Sequence, residues 1–261
     1  MRKLIRNTES NMRKKDIEKV VQLLRNKKKV CALLAPTIDK TLENFSQKKR
    51  FYTVLEDAGF FTWKQIAEEA DDMTLQEVEE WNSREEDKKI ILSSSCPAIV
   101  RLIEREYLDL SVYLSNTKSP MYLSSLKVKE ENKSIKTVFI GPCYWKKEEQ
   151  KKQLSEKGHV DVVLTFAEFV EVLKELKIDF EWKYKDVNKK RATGENIDMP
   201  GQIAFCVQEK MKKMQIKNMP TFFAGAGIDE CKKILNSIRK GEYQNCYIEL
   251  LACKDGCGGK K

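Results

Sequence analysis

Residues 246–259 read CYIELLACKDGCGG. Cys246–Ala252 is apolar but for Glu249, and predicts a buried strand. Cys253 and Cys257 follow at once, with Lys254, Asp255 and Gly256 between them. The same construction occurs twice more. Lys89–Leu92 predicts a short strand and runs into Ser93-Ser94-Ser95-Cys96-Pro97. Residues 136–140, KTVFI, predict another and run into Gly141-Pro142-Cys143. Functional groups of parallel α/β folds collect at the carboxyl ends of strands. Four cysteines distant in sequence would so be gathered by one architecture.

The rest of the chain agrees with that architecture. Residues 10–27 alternate charged and apolar positions and predict an amphipathic first helix. Lys28–Pro36, KKVCALLAP, predicts a buried strand ended by proline. A helical stretch follows to Glu56 and is broken at Gly59, and residues 63–86 read as an acidic helix. Pro97 opens a helix at its first turn, where a missing N–H costs nothing. Val160–Leu164 predicts a strand, and Thr165 with Glu168 forms a capping-box pattern for the helix running to Leu176. Residues 181–200, with Gly194 and Pro200, predict a loop. Helices over 202–216 and 228–239, the latter stopped by Gly241, alternate with a strand over 221–224. Strands alternating with helices of about a dozen residues imply βαβ units. The expectation is an α/β fold of two lobes, about 1–120 and 121–261, with mostly parallel sheets flanked by helices and a cofactor between the lobes.

Composition narrows the function. The chain has 261 residues, 41% of them hydrophobic, and a formal net charge of +9. Its lysines and arginines are scattered among acidic residues without an aromatic-interleaved stripe, so no nucleic-acid partner is expected. No apolar run approaches the roughly 20 residues that span a bilayer. The N-terminal MRKLIRNTESNMRKK lacks the apolar core of a secretory signal. A cytoplasmic location and no membrane association are expected. Eight cysteines in a reducing compartment point to metal or redox work rather than disulfides. Thiolates are the soft ligands preferred by iron–sulfur clusters and by zinc. Four would satisfy a 4Fe–4S cube or a structural zinc, although zinc ribbons use two close C-x₂₋₄-C pairs.

Three segments resemble the signature motifs of the iron-only, or FeFe, hydrogenases: SSSCPAI at 93–99, GPCYWKKEE at 141–149 and ELLACKDGCGG at 249–259. Their order is that of the family. Weaker similarity lies in LLAPTI at 33–38, LSNTKSPM at 114–121 and DVVLTFAEF at 161–169. The resemblance implies an H-cluster, a 4Fe–4S cube joined to a two-iron subcluster with CO, cyanide and dithiolate ligands. It implies Cys96, Cys143, Cys253 and Cys257 as the metal ligands, with Cys257 bridging to the two-iron unit. It places Lys146 on a cyanide, Ala35, Pro36, Ser119 and Pro120 along the two-iron unit, and Ser115 on the proton path. Ser95, Lys146 and Ser115 are thereby the candidate catalytic residues. The activity implied is reversible reduction of protons to hydrogen, in an anaerobic hydrogen metabolism.

The departures bear on that activity. Ser95 stands where the family has a proton-relaying cysteine, and a serine hydroxyl is the weaker acid. Gly141 and Leu251 replace methionines, and Ile99 replaces a tryptophan. The acidic EVEE at 77–80 could supply proton-path carboxylates. No ferredoxin-like cysteines precede Cys31, so electrons would come from an external carrier such as a ferredoxin, and maturation proteins would supply the cofactor. A sensory or regulatory protein of slow turnover is one alternative, and a non-catalytic iron–sulfur scaffold another. Cys31, Cys206, Cys231 and Cys246 read as structural thiols and His159 as a surface or structural residue. Gly225-Ala226-Gly227 reads as a tight turn, and Ser95 as a potential cap of the helix after it.

Overall fold

The computed structural model describes residues 2–38, 42, 45–85, 89–180 and 198–257. The loop expected over 181–200 lies outside the described residues up to 197, as do Gly258 and Gly259. The chain forms two compact units, each drawn from two stretches: residues 1–66 with 124–188, and 67–123 with 189–261. Among the described residues both units are built on parallel sheets with helices packed against them, as the strand–helix alternation predicts.

Unit one carries the strand order β2-β1-β4-β5. The strands are β1 (Val30–Leu34), β2 (Thr62–Gln65), β4 (Lys136–Gly141) and β5 (Val162–Thr165). All five residues of β1 are buried, as are the last five of β4. Such unbroken apolar runs are what a parallel sheet covered on both faces requires. Helix α1 spans Arg2–Arg25, α2 Phe45–Asp57, α6 Lys146–Lys152 and α7 Phe166–Glu175. The capping box at the start of α7 is present: Glu168 N–H donates to Thr165 Oγ, and Thr165 N–H to the Glu168 carboxylate. One expectation needs correcting. Residues 62–65 form the edge strand β2, paired with β1 from Cys31 to Leu34, rather than the start of a helix. Its TWKQ pattern is short and only half-buried, so the pairing surface offered by β1 decides it.

A buried charge ties unit one together. Lys147, only 1% exposed, reaches Asp16 on α1 (2.5 Å), Glu168 on α7 (3.1 Å) and the Val163 carbonyl (2.7 Å). It is therefore no solvated surface lysine.

Unit two carries the order β3-β7-β6, with β3 (Ile90–Leu92), β7 (Cys246–Leu251) and β6 (Thr221–Ala226). The central β7 is buried at all six positions. Its helices are α3 (Ala70–Ser83), α4 (Pro97–Glu106), α8 (Gln202–Lys213) and α9 (Ile228–Arg239), while α5 (Pro120–Glu131) begins in unit two and ends in unit one. One apolar cluster joins Ile90, Leu92, Ile248 and Leu250 of the sheet to Ile99 and Ile103 of α4 and Leu235 of α9. Side chains alternate along a strand, so Tyr247 and Glu249 point to the opposite face. There Glu249 accepts the Ala204 N–H (2.9 Å) at the start of α8. Among the described residues no helix is long and apolar enough to cross a membrane.

The Lys147 cluster gives a stability prediction. Lys147→Met removes the nearest counter-charge of the buried Glu168 and leaves it only the more distant Arg13 (3.8 Å) among the described residues, and breaking such a pair costs up to about 3–5 kcal/mol. Urea denaturation should show a loss of that order; a variant as stable as the parent would show that the buried charges contribute nothing.

Candidate metal centre and buried carboxylates

The cysteines expected to bind metal lie at the strand ends. Cys96 is 7% exposed and sits at the N-cap of α4, with Pro97 in the first turn. Its carbonyl accepts the Ile99 and Val100 N–H groups, both at 3.0 Å. Ser95 is therefore not the cap of this helix, and the N-cap side chain makes no capping hydrogen bond. Cys253 and Cys257 leave the end of β7, the strand next to β3. Three of the four expected ligands thus belong to unit two and emerge from the carboxyl edge of one sheet. Cys143 follows β4 in unit one, and its carbonyl accepts the Lys146 N–H (3.3 Å).

The loop between Cys253 and Cys257 is tightly specified. Gly256 has φ +79°, and a Cβ there would run into the Asp198 carbonyl and Met199. Cys257 N–H donates to the Asp198 carbonyl at 2.8 Å. Only glycine accommodates that left-handed conformation against a neighbouring backbone. None of the eight cysteines, all among the described residues, is in a disulfide. The donor set, four thiols at Pro- and Gly-bearing turns, fits iron–sulfur ligation. Among the described residues no three Cys, His, Asp or Glu side chains converge on one metal-ion position.

The other cysteines are built differently. Cys31 and Cys246 lie inside strands, and burial pushes their thiols up to about 12 and about 11. Burial likewise pushes the Cys231 thiol up to about 12 and raises that of Cys206. Buried protonated thiols of this kind behave as small apolar side chains. His159 Nδ1 lies 2.8 Å from the Glu156 carbonyl and its Nε2 3.9 Å from Asp161.

The remaining expected residues are placed as follows. Lys146 Nζ is 2.6 Å from Glu149 Oε2, one helical turn on. Ala35 and Pro36 follow β1, and the Ala35 N–H donates to the Ile140 carbonyl (3.0 Å). Ser119 and Pro120, both buried, open α5. Gly141, where the resemblance implies a methionine, is tightly enclosed. A Cβ on Gly141 would meet the Phe139 ring at 2.6 Å and the Ala35 Cβ at 3.1 Å, so Phe139 fills that space.

Ser115 proves to be the centre of a polar line. Its Oγ lies 2.9 Å from Glu77 Oε2 and 2.7 Å from Glu80 Oε2. Glu80 is in turn held by Arg84, whose guanidinium reaches Glu80 Oε1 at 2.6 Å and the Leu114 carbonyl at 2.9 Å. Glu77, Glu80 and Arg84 stand at i, i+3 and i+7 of the α3 stretch, which puts them on one face. A hydroxyl has one hydrogen to give, so two ionised carboxylates could not both be satisfied by Ser115. Burial answers this by pushing Glu77 up to about 8, with the nearby Glu80 charge adding to the rise and the Ser115 contact opposing it. Glu77 then favours its protonated form at neutral pH, which leaves the Ser115 hydroxyl hydrogen free for Glu80. The resemblance points to Ser115 and the acidic EVEE at 77–80 to carboxylates, and the spacing of two glutamates and an arginine on one helical face is the signal that singles out Glu77, Glu80 and Arg84.

The fold is that of solved FeFe hydrogenases. HydA1 from Chlamydomonas reinhardtii superposes with a TM-score of 0.68 at 17% identity, over 94% of this chain and 84% of that one. In sequence, iron hydrogenase 1 of Clostridium pasteurianum is 31% identical over 159 residues, 56% of this chain and 28% of that protein. The cytosolic Fe-S cluster assembly factor NAR1 of Kluyveromyces lactis is 34% identical over 91 residues, 35% of this chain and 19% of that protein. The chain therefore spans less than a third of the length of either curated relative. The pattern of the iron-only hydrogenase large subunit, C-terminal domain, matches residues 28–259, and the chain belongs to that family.

Glu77 sets a pH dependence. Its pKa is higher in the fold (about 8) than its ordinary 4.5, so the folded state holds the proton more tightly. The stability it contributes is full below about 4.5 and is lost as pH rises to about 8. Glu77→Gln keeps a neutral hydrogen-bonding side chain. Relative to that variant, the parent should lose thermal stability across this window, and parallel Tm profiles would refute the raised pKa.

Proposed function

We propose that this chain binds an H-cluster and catalyses the reversible reduction of protons to hydrogen, with electrons from a separate carrier such as a ferredoxin. Cys96, Cys143, Cys253 and Cys257 would hold the 4Fe–4S cube, with Cys257 bridging to the two-iron subcluster. When bound, that subcluster, with its CO, cyanide and dithiolate ligands, supplies the hydride and electron chemistry. The protein's part is binding, orientation and proton delivery. Lys146, fixed by Glu149, would donate a charge-assisted hydrogen bond to a cyanide. Ala35, Pro36, Ser119 and Pro120 would line the two-iron unit. Maturation proteins would install it.

The observation that carries the reading is the Glu77–Ser115–Glu80–Arg84 line. An iron–sulfur scaffold has no use for a buried protonated carboxyl wired through a hydroxyl to a second carboxylate. A group that titrates near neutral pH, in hydrogen-bond contact along its length, is what general acid–base chemistry needs. Proton supply would run from Glu80, held by Arg84, through Ser115 to Glu77.

Ser95 favours a second reading in which the same cofactor turns over slowly and reports redox state or hydrogen to a partner. The likeness to NAR1 supports the third, a cluster-holding protein without hydrogen chemistry.

Infrared spectroscopy after maturation distinguishes these readings. Bands of bound CO and cyanide, with hydrogen evolution from an artificial reductant, are expected. A matured chain with iron but no such bands would place it with the assembly factors. Ser115→Ala should lower evolution roughly a hundredfold, the scale of one positioned proton-transfer group, and an unchanged rate would remove the proposed line. Ser95→Cys should raise it.

A further inference from the structure

The line through Ser115 ends inward at Glu77, and serine at 95 leaves the next link open. Strand geometry supplies a candidate. The register pairs Ile91 of β3 with Tyr247 of β7, so the two lie abreast on one face. Ser93 and Glu249, each two residues further along, share that face. The pairing continues past β3, since Ser93 N–H donates to the Ile248 carbonyl at 2.9 Å. Tyr247 is 0% exposed, and its hydroxyl lies beside both Glu77 and Ser93. Yet among the described residues that hydroxyl makes no in-line hydrogen bond. Ser93 Oγ lies 3.2 Å from Ser95 Oγ, and the Ser95 N–H points back to Ser93 Oγ at 3.5 Å.

A fully buried hydroxyl without an aligned partner is costly. Phenylalanine would fill the same slot, and packing alone gives no reason for the oxygen. Its position, within reach of a protonatable carboxyl on one side and a serine pair on the other, gives one.

We propose that the Tyr247 hydroxyl, with Ser93, links Glu77 to Ser95 and carries protons along that line in place of a thiol at position 95. The inference rests on the hydrogenase reading above and supplies its inner proton path. Glu77 gives its carboxyl proton to the Tyr247 oxygen as the Tyr247 proton passes to Ser93 Oγ. The Ser93 proton passes to Ser95 Oγ, and the Ser95 proton leaves the line beside Cys96. Glu77, left as carboxylate, takes a proton from Ser115, which takes one from Glu80. No electrons move: Glu80 first takes from solvent the proton it gives to Ser115, so Glu77 and the Ser115, Tyr247, Ser93 and Ser95 hydroxyls each end with one proton and Glu80 ends as it began.

Two measurements test this. The first uses protein carrying no two-iron unit, so it is independent of turnover. The infrared band of the protonated Glu77 carboxyl, identified by its loss in Glu77→Gln, is followed against pH. Glu80, Arg84 and Ser115 also face Glu77, and Glu249 faces Tyr247; all are unchanged in the test variants. Tyr247→Phe removes the neighbouring hydroxyl that lowers the Glu77 pKa, so the band should shift and titrate at higher pH. An unmoved band overturns the proposal. The second uses matured protein. Tyr247→Phe and Ser93→Ala should each cut hydrogen evolution roughly a hundredfold, with thermal stability equal to or above the parent's. Ser93→Thr, which keeps a hydroxyl, should recover most of the loss. A full rate in Tyr247→Phe with a shifted band overturns the relay while leaving the contact. A parent protein with CO and cyanide bands but no hydrogen evolution defeats the functional reading itself, whatever the Glu77 band does.

Discussion

The parallel pairing of β3 with β7 is the constraint on which the rest of unit two depends. Ile90, Ile91 and Leu92 lie opposite Cys246, Tyr247 and Ile248, and both strands run out at the same edge. That register puts Cys96 and the Cys253–Cys257 loop on one side of one sheet. It also puts Ser93, Tyr247 and Glu249 on one face and the apolar cluster of Ile90, Leu92, Ile248 and Leu250 on the other. A slip of one residue would exchange the two faces and bury the wrong set. The placement of these cysteines and that of the polar face therefore share one structural cause.

The two faces of this sheet are unlike in kind. The face toward α4 and α9 is packed with aliphatic side chains and needs no explanation beyond burial. The face carrying Tyr247 holds two buried glutamates, Glu77 and Glu249, both pushed above the usual carboxylate range by desolvation. Glu249 recovers part of that cost by accepting backbone N–H groups at the start of α8, where the helix dipole favours an acceptor. Among the described residues Glu77 shows no such backbone partners. Perturbed carboxyls in hydrogen-bonded lines are where proton chemistry is commonly found.

Family membership and fold leave chemistry open, because one scaffold hosts several functions. The family includes proteins called hydrogenases and one called a cluster assembly factor. What separates the readings lies in single positions. Gly141 is accounted for by the Phe139 ring that takes its space. Ser95 stands beside Cys96, while Ser115, Glu80 and Arg84 are held together by short polar contacts.

Much of this was legible in the chain itself. Hydrophobic runs of strand length, each closed by Cys with Pro or Gly, determined the parallel α/β class and the strand-end placement of Cys96, Cys143, Cys253 and Cys257. The Thr165–Glu168 capping box was readable because its hydrogen bonds are local. The edge strand at 62–65 was not, since its half-polar residues become a strand only where β1 offers an unpaired edge. Nor was the alliance of Glu77, Ser115 and Tyr247, residues that stand 38 and 132 positions apart from one to the next. Local patterns encode element type, because turn chemistry and periodicity act over a few residues. Which buried polar groups face one another is fixed only by register and helix placement, and those are properties of the folded chain.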